Sequence, residues 1–264
     1  MRRRRVAPDM SGERTNVLRD RPHIVAIIPA RYGSTRLPGK ALAPIGRAPM
    51  IQHVYERTRR APGIGRTLVA TDDERIAAAV RGFGGEVVMT GAHATGTDRV
   101  AAVAADLDAD VIVDVQGDLP LLDPAALAAC VAPFRAGAHL EMASLMTPIR
   151  DEREWRNPHV VKVVTGIDGT ALYFSRSPLP YWRGTRAGAV LGWRHIGLYA
   201  WRRDVLLDLA AAPRSPLECA EELEQLRALE RGVRITMVEV DSASPEVDTA
   251  EDLERVRRLV EGEG

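Results

Sequence analysis

The residues best suited to chemistry lie in one loop near the start of the chain. The segment from Pro29 to Lys40 contains three cations, two glycines and a serine, and it contains no acid. Glycine lets the backbone turn tightly and approach a ligand closely, and the cations can donate to phosphate oxygens. A solvated basic turn is the simpler interpretation. The coincidence of a strand end, glycines and fixed cations instead favours a polyphosphate site.

The lysine content singles out one residue of this loop. Lys40 and Lys162 are the only lysines among 36 basic residues, and all the others are arginines. Lysine is a compact point charge, whereas arginine is a broad, planar fork. A crowded phosphate site could accept the first and exclude the second, so Lys40 is a candidate phosphate ligand.

Two acids are candidate metal ligands. Asp118 follows the buried apolar run Val111–Val115, which we expect to be a central strand ending beside the Lys40 loop. Asp248 precedes a capping-box-like sequence, Thr249 to Asp252, that predicts the final helix. Carboxylates at the carboxyl end of a buried strand often hold a divalent cation, although each acid could also merely shape a turn.

A polar segment between residues 90 and 99 could contribute to nucleotide binding. Thr95 and Gly96 lie directly before a predicted helix, where hydroxyls commonly cap the first turn. The same position would present backbone N–H groups to a base or a ribose. Capping is the default interpretation.

Alternating strand and helix patterns predict the elements that position these loops. Apolar runs predict strands at 24–28, 68–70, 86–89, 111–115 and 235–240, and helical spacing predicts helices at 50–60, 76–82, from 124 and from 249. Pro29 should end the first strand. The order predicts an α/β fold with a doubly wound, mostly parallel, Rossmann-like sheet.

The middle of the chain predicts an inserted lobe. Two β-rich runs, 160–165 and 171–175, flank an Asp-Gly turn and indicate a β-hairpin. We interpret 157–201 as a lobe that covers the site and binds a second substrate. Ser215 should cap one helix whose acidic residues are solvent-exposed or form an oligomer contact.

Composition excludes several classes of protein. The 264 residues carry 36 basic and 36 acidic side chains, a balance that argues against nucleic-acid binding. No apolar run approaches the roughly 20 residues of a membrane span, and the two distant cysteines indicate a reducing, cytoplasmic compartment. Residues 1–22 predict a disordered basic tail, with Met10 as a possible alternative start, and 23–264 form the folded domain.

Seven motifs together resemble the 3-deoxy-manno-octulosonate cytidylyltransferase (CMP-KDO synthetase) family. They run in the family's order from residue 23 to the end of the chain: IIPARYGSTRLPGK, QGD at 116–118, NPHVVKVV at 157, ALYFSR at 171, RHIGLY at 194, SPLE with LEQLR from 215, and VDTAEDLERVR at 247. The resemblance implies a nucleotidyltransferase that joins CMP from CTP to an acidic acceptor and releases pyrophosphate. It also implies Mg²⁺ as cofactor and a homodimer formed through the inserted lobe at 157–201.

The resemblance also implies roles for individual residues. Catalytic roles fall on Lys40, Arg31 and Asp118. CTP binding falls on Ala30, Arg31, Gly33, Ser34, Lys40, Thr71, Asp72, Thr95, Gly96 and Gln116. Acceptor binding falls on Arg36, Gln116, Arg176, His195, Glu218 and Gln225, and Mg²⁺ binding on Asp118 and Asp248. For His195 taken alone, a structural histidine is the commoner outcome.

Three departures from the family pattern concern the acceptor side. Leu119 replaces an acid, Cys219 replaces a histidine, and residues 178–192 match poorly. KDO is the expected acceptor, and a phosphonate such as phosphonoformate is the alternative. A non-catalytic CTP-binding regulatory protein is a further alternative of a different class.

Overall fold

The computed structural model describes residue 19 and residues 21–33, 37–136, 140–183, 190–241 and 243–262. The strands are β1 (Ile24–Ala30), β2 (Pro44–Ile45), β3 (Ala48–Pro49), β4 (Arg66–Thr71), β5 (Val87–Met89), β6 (Val111–Asp114), β7 (Met142–Ile149), β8 (Lys162–Thr165), β9 (Ala171–Ser175), β10 (Gly192–Arg202) and β11 (Ile235–Glu239). The helices are α1 (Met50–Arg60), α2 (Glu74–Gly82), α3 (Gly96–Ala104), α4 (Pro124–Arg135), α5 (Glu152–Arg156), α6 (Arg203–Ala210), α7 (Pro216–Glu221), α8 (Gln225–Glu230) and α9 (Ala250–Gly262).

The main sheet has the order β11-β7-β10-β6-β1-β4-β5. Strands β6, β1, β4 and β5 are parallel neighbours, and β11 is parallel to β7. Strand β10 runs antiparallel to both of its neighbours in this order, β6 and β7. The predicted α/β fold with a mostly parallel sheet is therefore confirmed, and β6 is central as expected.

Side chains of β1 are buried on both faces of the sheet. Ile24, Ala26 and Ile28 pack in one apolar cluster with α1 and α4, whereas Val25 and Ile27 pack in a second cluster with α3 and α6. A strand covered by helices on both faces needs a continuous apolar run rather than an alternating one. This is why the sequence of β1 is apolar throughout.

Pro29 does not end β1, which corrects the sequence-based expectation. The strand continues to Ala30, and Pro29 pairs in register with Ala70. The carbonyl of Ile27 faces β6, since it accepts from Val115 N at 3.1 Å, and Pro29 faces the same side by alternation. The ladder with β6 has ended at that level, so the missing N–H of Pro29 costs no ladder bond.

The predicted lobe at 157–201 overlaps the main sheet. The β8–β9 hairpin forms as expected and joins the sheet through two residue pairs between β8 and the start of β10. However, β10 itself lies between β7 and β6, so its residues belong to the central sheet. Strand β7 was absent from the sequence-based assignment. The division into a domain and a dimerisation lobe stays a prediction.

The helix expected from Ser215 onward is divided into α7 and α8. Glu222 lies between them with a left-handed backbone at φ 54°, which interrupts the helix. Glu218 is 4% exposed and contacts Arg227 Nε at 3.3 Å, so the expectation of a solvated acidic face is wrong for this residue. A buried carboxylate needs such partners because burial disfavours its charge.

Most of the predicted tail at 1–22 lies outside the described residues. Arg19, which belongs to that segment, forms an ion pair with Asp108 on the folded domain. Among the helices of the described part of the chain, none is long and apolar enough to cross a membrane.

Candidate active site

A cleft of about 420 Å³ opens at the carboxyl ends of β1 and β6. Because parallel strands end at the same edge of a sheet, the loops after them converge there. Residues that line the cleft include six predicted for CTP binding, namely Ala30, Arg31, Lys40, Thr95, Gly96 and Gln116. They also include His93, Ala94 and Arg99, which were not predicted.

Lys40 and the two predicted metal ligands meet in this cleft. Lys40 Nζ lies 2.9 Å from Asp118 Oδ2 and 3.2 Å from Asp248 Oδ1. Val247 N donates to Asp118 O at 3.0 Å, which joins the loop after β6 to the segment before α9. Thr249 and Asp252 cap α9 reciprocally, as predicted, and so fix the position of Asp248.

The chemistry of this donor set fits Mg²⁺. Two carboxylates face one cationic group, and Mg²⁺ is commonly held by one or two carboxylates together with substrate phosphates and water. Within the described ranges, no group of three or more His, Cys, Asp or Glu side chains is arranged to hold a metal. Substrate phosphates and water are the ligands that usually complete such a site.

A backbone hydrogen bond joins the two ends of the Lys40 loop. Gly39 N donates to Tyr32 O at 3.0 Å. Gly39 has φ +71°, and a Cβ added to it would lie 3.2 Å from the Tyr32 ring, so only glycine fits there without strain. Arg75 stacks on the same ring, with its guanidinium carbon 3.3 Å from the ring centre. Gly33 is exposed, and the predicted ligands Ser34 and Arg36 lie outside the described residues.

The polar segment before α3 does form a cap. Thr95 and Asp98 form a reciprocal capping box, and Gly96 begins the helix. The buried Arg99 donates to Asp72 Oδ2 at 2.8 Å and to Thr90, so it ties the loops after β4 and β5 to α3. Thr71 is itself buried. Arg99 lines the cleft, whereas the predicted CTP-binding residues Thr71 and Asp72 are not among the residues that line it. The place of Arg99 in the segment TGTDR was the available sequence signal.

A second pocket of about 320 Å³ adjoins the first and shares Gly96, Gln116 and Asp118 with it. Its other lining residues are mostly hydrogen-bonding side chains, and they include Thr97, Tyr199, Glu222, Glu224, Gln225 and Glu246. Burial raises the pKa of Glu224. Leu119, one of the departures from the family pattern, is also in this wall. The pocket is placed to hold a second substrate beside the Lys40–Asp118 pair.

Gln116 lies at the junction of the two pockets, and a buried acid holds it. Asp114, the last residue of β6, accepts from Gln116 Nε2 at 3.0 Å and from Thr97 Oγ1 at 3.1 Å. Burial raises the pKa of Asp114 to about 7, and the neighbouring Glu224 adds to the shift. A single acid in an apolar run gives no signal of its partners, so the sequence predicts Asp114 only as part of a strand.

The predicted acceptor residues divide into two groups. Gln225 lines the second pocket with Gln116. His195 lies behind it, with Nδ1 3.5 Å from Gln225 Nε2 and Nε2 2.9 Å from Ser144 Oγ. Burial, with Arg194 nearby, lowers the pKa of His195 to about 3, so the ring is neutral and supports Gln225 rather than supplying charge.

Arg176 and Glu218 are not in the lining of either pocket. Arg176 donates to the backbone carbonyls of Glu221 and Pro158, at 2.8 and 3.1 Å, and so attaches the hairpin to α7. Glu218 accepts from Ser215 N at 3.1 Å within the cap of α7. The acceptor-binding roles of these residues stay predictions.

Comparison with known proteins places the chain in a family. The sequence model of the family described as cytidylyltransferase matches residues 25–235. The 3-deoxy-manno-octulosonate cytidylyltransferase of Geobacter sulfurreducens is 52% identical over 244 residues, which cover 89% of this chain and 98% of the relative. That of Geobacter metallireducens is 54% identical, covering 88% and 96%.

Solved structures agree with the sequence relatives. A CMP:2-keto-3-deoxy-manno-octonic acid synthetase complexed with CTP superposes with a TM-score of 0.87 at 44% identity, covering 91% of this chain and 99% of that one. A 4-diphosphocytidyl-2C-methyl-D-erythritol synthase from Anaerococcus prevotii shares the fold, with a TM-score of 0.61 at 12% identity. The chain therefore belongs to the cytidylyltransferase family, among the 3-deoxy-manno-octulosonate cytidylyltransferases.

Proposed function

We propose that this enzyme transfers CMP from CTP to 3-deoxy-D-manno-octulosonate (KDO), giving CMP-KDO and pyrophosphate. The observation that carries the proposal is that two adjacent pockets share Gln116 and Asp118, and that Lys40 in the first pocket contacts Asp118. A reaction between two bound substrates needs their reacting atoms held close together. The names of the similar proteins supply the identities of the substrates.

The reaction needs positioning and charge rather than a protein nucleophile. An acceptor hydroxyl oxygen attacks the α-phosphorus of CTP, the bond to the β-phosphate breaks, and the hydroxyl proton passes to solvent. Lys40 and Arg31 face the first cleft and would stabilise the charge that moves onto the leaving pyrophosphate. Gln116, at the junction, would orient the acceptor.

Asp118 and Asp248 would hold Mg²⁺, since both carboxylates line the cleft and lie close enough together to contact the same ammonium group, that of Lys40. When bound, the ion would neutralise phosphate charge and favour ionisation of the attacking hydroxyl. Lys40 contacts both carboxylates and would then pair with the triphosphate as well. We further propose a homodimer and a cytoplasmic location, which size-exclusion chromatography and cell fractionation would test.

The second pocket favours a polyhydroxylated acceptor over a phosphonate. Its carboxylate, amide and phenol groups are hydrogen-bonding partners for sugar hydroxyls. A phosphonate would bring a second dense negative charge against Asp118, Glu222 and Glu224. KDO carries one carboxylate and a chain of hydroxyl donors, so it suits this wall better.

Pyrophosphate release from CTP and Mg²⁺ tests the proposal, with KDO and phosphonoformate supplied separately. We expect turnover with KDO and little with phosphonoformate. The variant Asp118→Asn should lower turnover by about two orders of magnitude or more, because one Mg²⁺ ligand loses its charge. Asp123→Asn is the matched control, since the Asp123 side chain caps α4 through its bond to Ala125 N.

The outcomes separate the alternatives. Turnover with phosphonoformate but not with KDO would show that the acceptor is a phosphonate and that the transfer of CMP from CTP is unchanged. CTP binding by calorimetry without turnover on either acceptor would favour the non-catalytic alternative. Full activity of Asp118→Asn would overturn the metal assignment.

A further inference from the structure

We propose that Asp114 is a positioning residue that fixes the side-chain amide of Gln116 so that its Oε1 accepts a hydrogen bond from the attacking hydroxyl of the acceptor. The inference rests on the proposed function, and it specifies how that site selects the acceptor. Asp114 itself touches no substrate in this scheme.

Asp114 is built into the sheet at a point that permits little movement. It is fully buried at the end of β6, paired with Ile27 of β1 on one side and with Tyr199 of β10 on the other. Its Oδ2 accepts from the buried Thr97 hydroxyl, which leaves Oδ1 for Gln116. A buried carboxyl with both oxygens engaged has a single favourable orientation.

This arrangement decides which end of the Gln116 amide faces the pockets. An amide has a donor end and an acceptor end, and the two are chemically distinct although similar in shape. The Nε2 end donates to Asp114 at 3.0 Å, so the Oε1 end is turned away from the core toward the junction of the pockets. Where Asp114 is ionised, a reversed amide would place oxygen against a carboxylate that has no proton to donate, with lone pairs facing lone pairs.

The consequence is that Gln116 distinguishes acceptors by whether their attacking oxygen can donate a hydrogen bond. A carbonyl oxygen accepts from a hydroxyl group but repels a fully ionised oxygen, which has only lone pairs to offer. The attacking hydroxyl of KDO satisfies Oε1 until its proton leaves. An ionised phosphonate oxygen at the same position has no proton to donate to Oε1. Asp114 thus imposes, through Gln116, a preference for a hydroxyl nucleophile.

The test is a double-mutant cycle measured as KM for KDO and, separately, as the dissociation constant for CTP. Asp114→Leu has the same branching as Asp but accepts no hydrogen bond. We expect it to raise KM for KDO about tenfold, the effect of one lost hydrogen bond, and to leave CTP binding within about threefold. Asp114→Asn keeps an acceptor for Gln116 Nε2, so it should stay within about threefold of the parent in KM for KDO.

The second arm repeats these substitutions in a Gln116→Met background. If Asp114 acts through Gln116, Asp114→Leu should raise KM for KDO by less than about twofold in the Gln116→Met background. An equal tenfold effect in both backgrounds would overturn the proposal, as would a change in CTP binding equal to that in KM for KDO.

A folding defect and a failure of the proposed function can each be distinguished from a failure of the role proposed for Asp114. Calorimetric CTP binding reports whether Asp114→Leu is folded, and if it is not, Asp114→Ala takes its place in the cycle. Failure of the parent enzyme to use KDO would refute the proposed function. Turnover by the parent with an unchanged KM in folded Asp114→Leu would refute only the role of Asp114.

Discussion

Replacing Lys162 with methionine tests how a buried cation stabilises the hairpin. Lys162 is 0% exposed, and its Nζ donates to the carbonyls of Asn157, Val160 and Arg176 at 2.9, 2.6 and 2.6 Å. Burial lowers the pKa of the ammonium group. Three rotatable donors meet three carbonyls, an arrangement that the planar fork of arginine does not match. This geometry explains why the chain has lysine here.

The expected loss in the free energy of unfolding follows from the carbonyl groups that lose a hydrogen-bond donor. Asn157 O also accepts from Val160 N, so it keeps one bond in the Lys162→Met variant. The carbonyls of Val160 and Arg176 lose a donor, at about 1–3 kcal/mol each. Relief of the desolvated ammonium offsets part of this sum. We expect a net loss of about 3 kcal/mol in the free energy of unfolding.

Urea titration with a far-UV circular dichroism readout measures that loss, and thermal unfolding should show a midpoint roughly 6–12 °C lower. Arg234→Met is the matched control, since it removes an exposed cation that contacts Asp168 in the turn of the same hairpin. Its effect should be much smaller. A loss below about 1 kcal/mol for Lys162→Met, or full stability of Lys162→Arg, would refute the carbonyl-matching argument.

Three further predictions concern the site. The pKa of Asp114 is raised to about 7, so its ionisation opposes folding increasingly as pH rises from about 4 to 7. Asp114→Asn should therefore match the parent's free energy of unfolding near pH 4 and exceed it by up to about 4 kcal/mol at pH 8. Urea titration at both pH values measures this difference, and equal stabilities at pH 8 would contradict the prediction. Lys40→Arg should lower kcat at least about tenfold despite equal charge, because Nζ lies between two carboxylates; full activity would show that the fork fits. Gly39→Ala, at φ +71° against Tyr32, should raise KM for CTP several-fold, and an unchanged KM would show that the loop tolerates a side chain.

Local patterns determined most of the elements. The helix α1, the strand β11 and the β8–β9 hairpin all lie within a residue or two of their predicted bounds, and α4 begins at the predicted residue. These signals are short-range, because apolar spacing, an N-cap proline or an Asp-Gly turn acts on neighbours in the sequence. The same patterns predicted that β6 would end beside the Lys40 loop, since parallel strands share one edge.

Tertiary structure decided what a residue in an apolar or acidic run does. The end of β1 depends on how far β6 extends beside it, which is why Pro29 stays in the strand. The fate of Glu218 depends on Arg227, nine residues away, and so a buried ion pair looked like a solvated face. Strand β10 lies between β6 and β7, a place that no local pattern of its own residues specifies.

The sequence alone determined the candidate chemistry, because the cations, glycines and acids of the site lie together in loops that follow recognisable strands. Only the folded chain decided their arrangement. Lys40 meets Asp248 across 208 positions, and Asp114 turns Gln116 toward the second pocket. These contacts depend on strand order and register, which are set by packing between distant segments rather than by the residues that form the site.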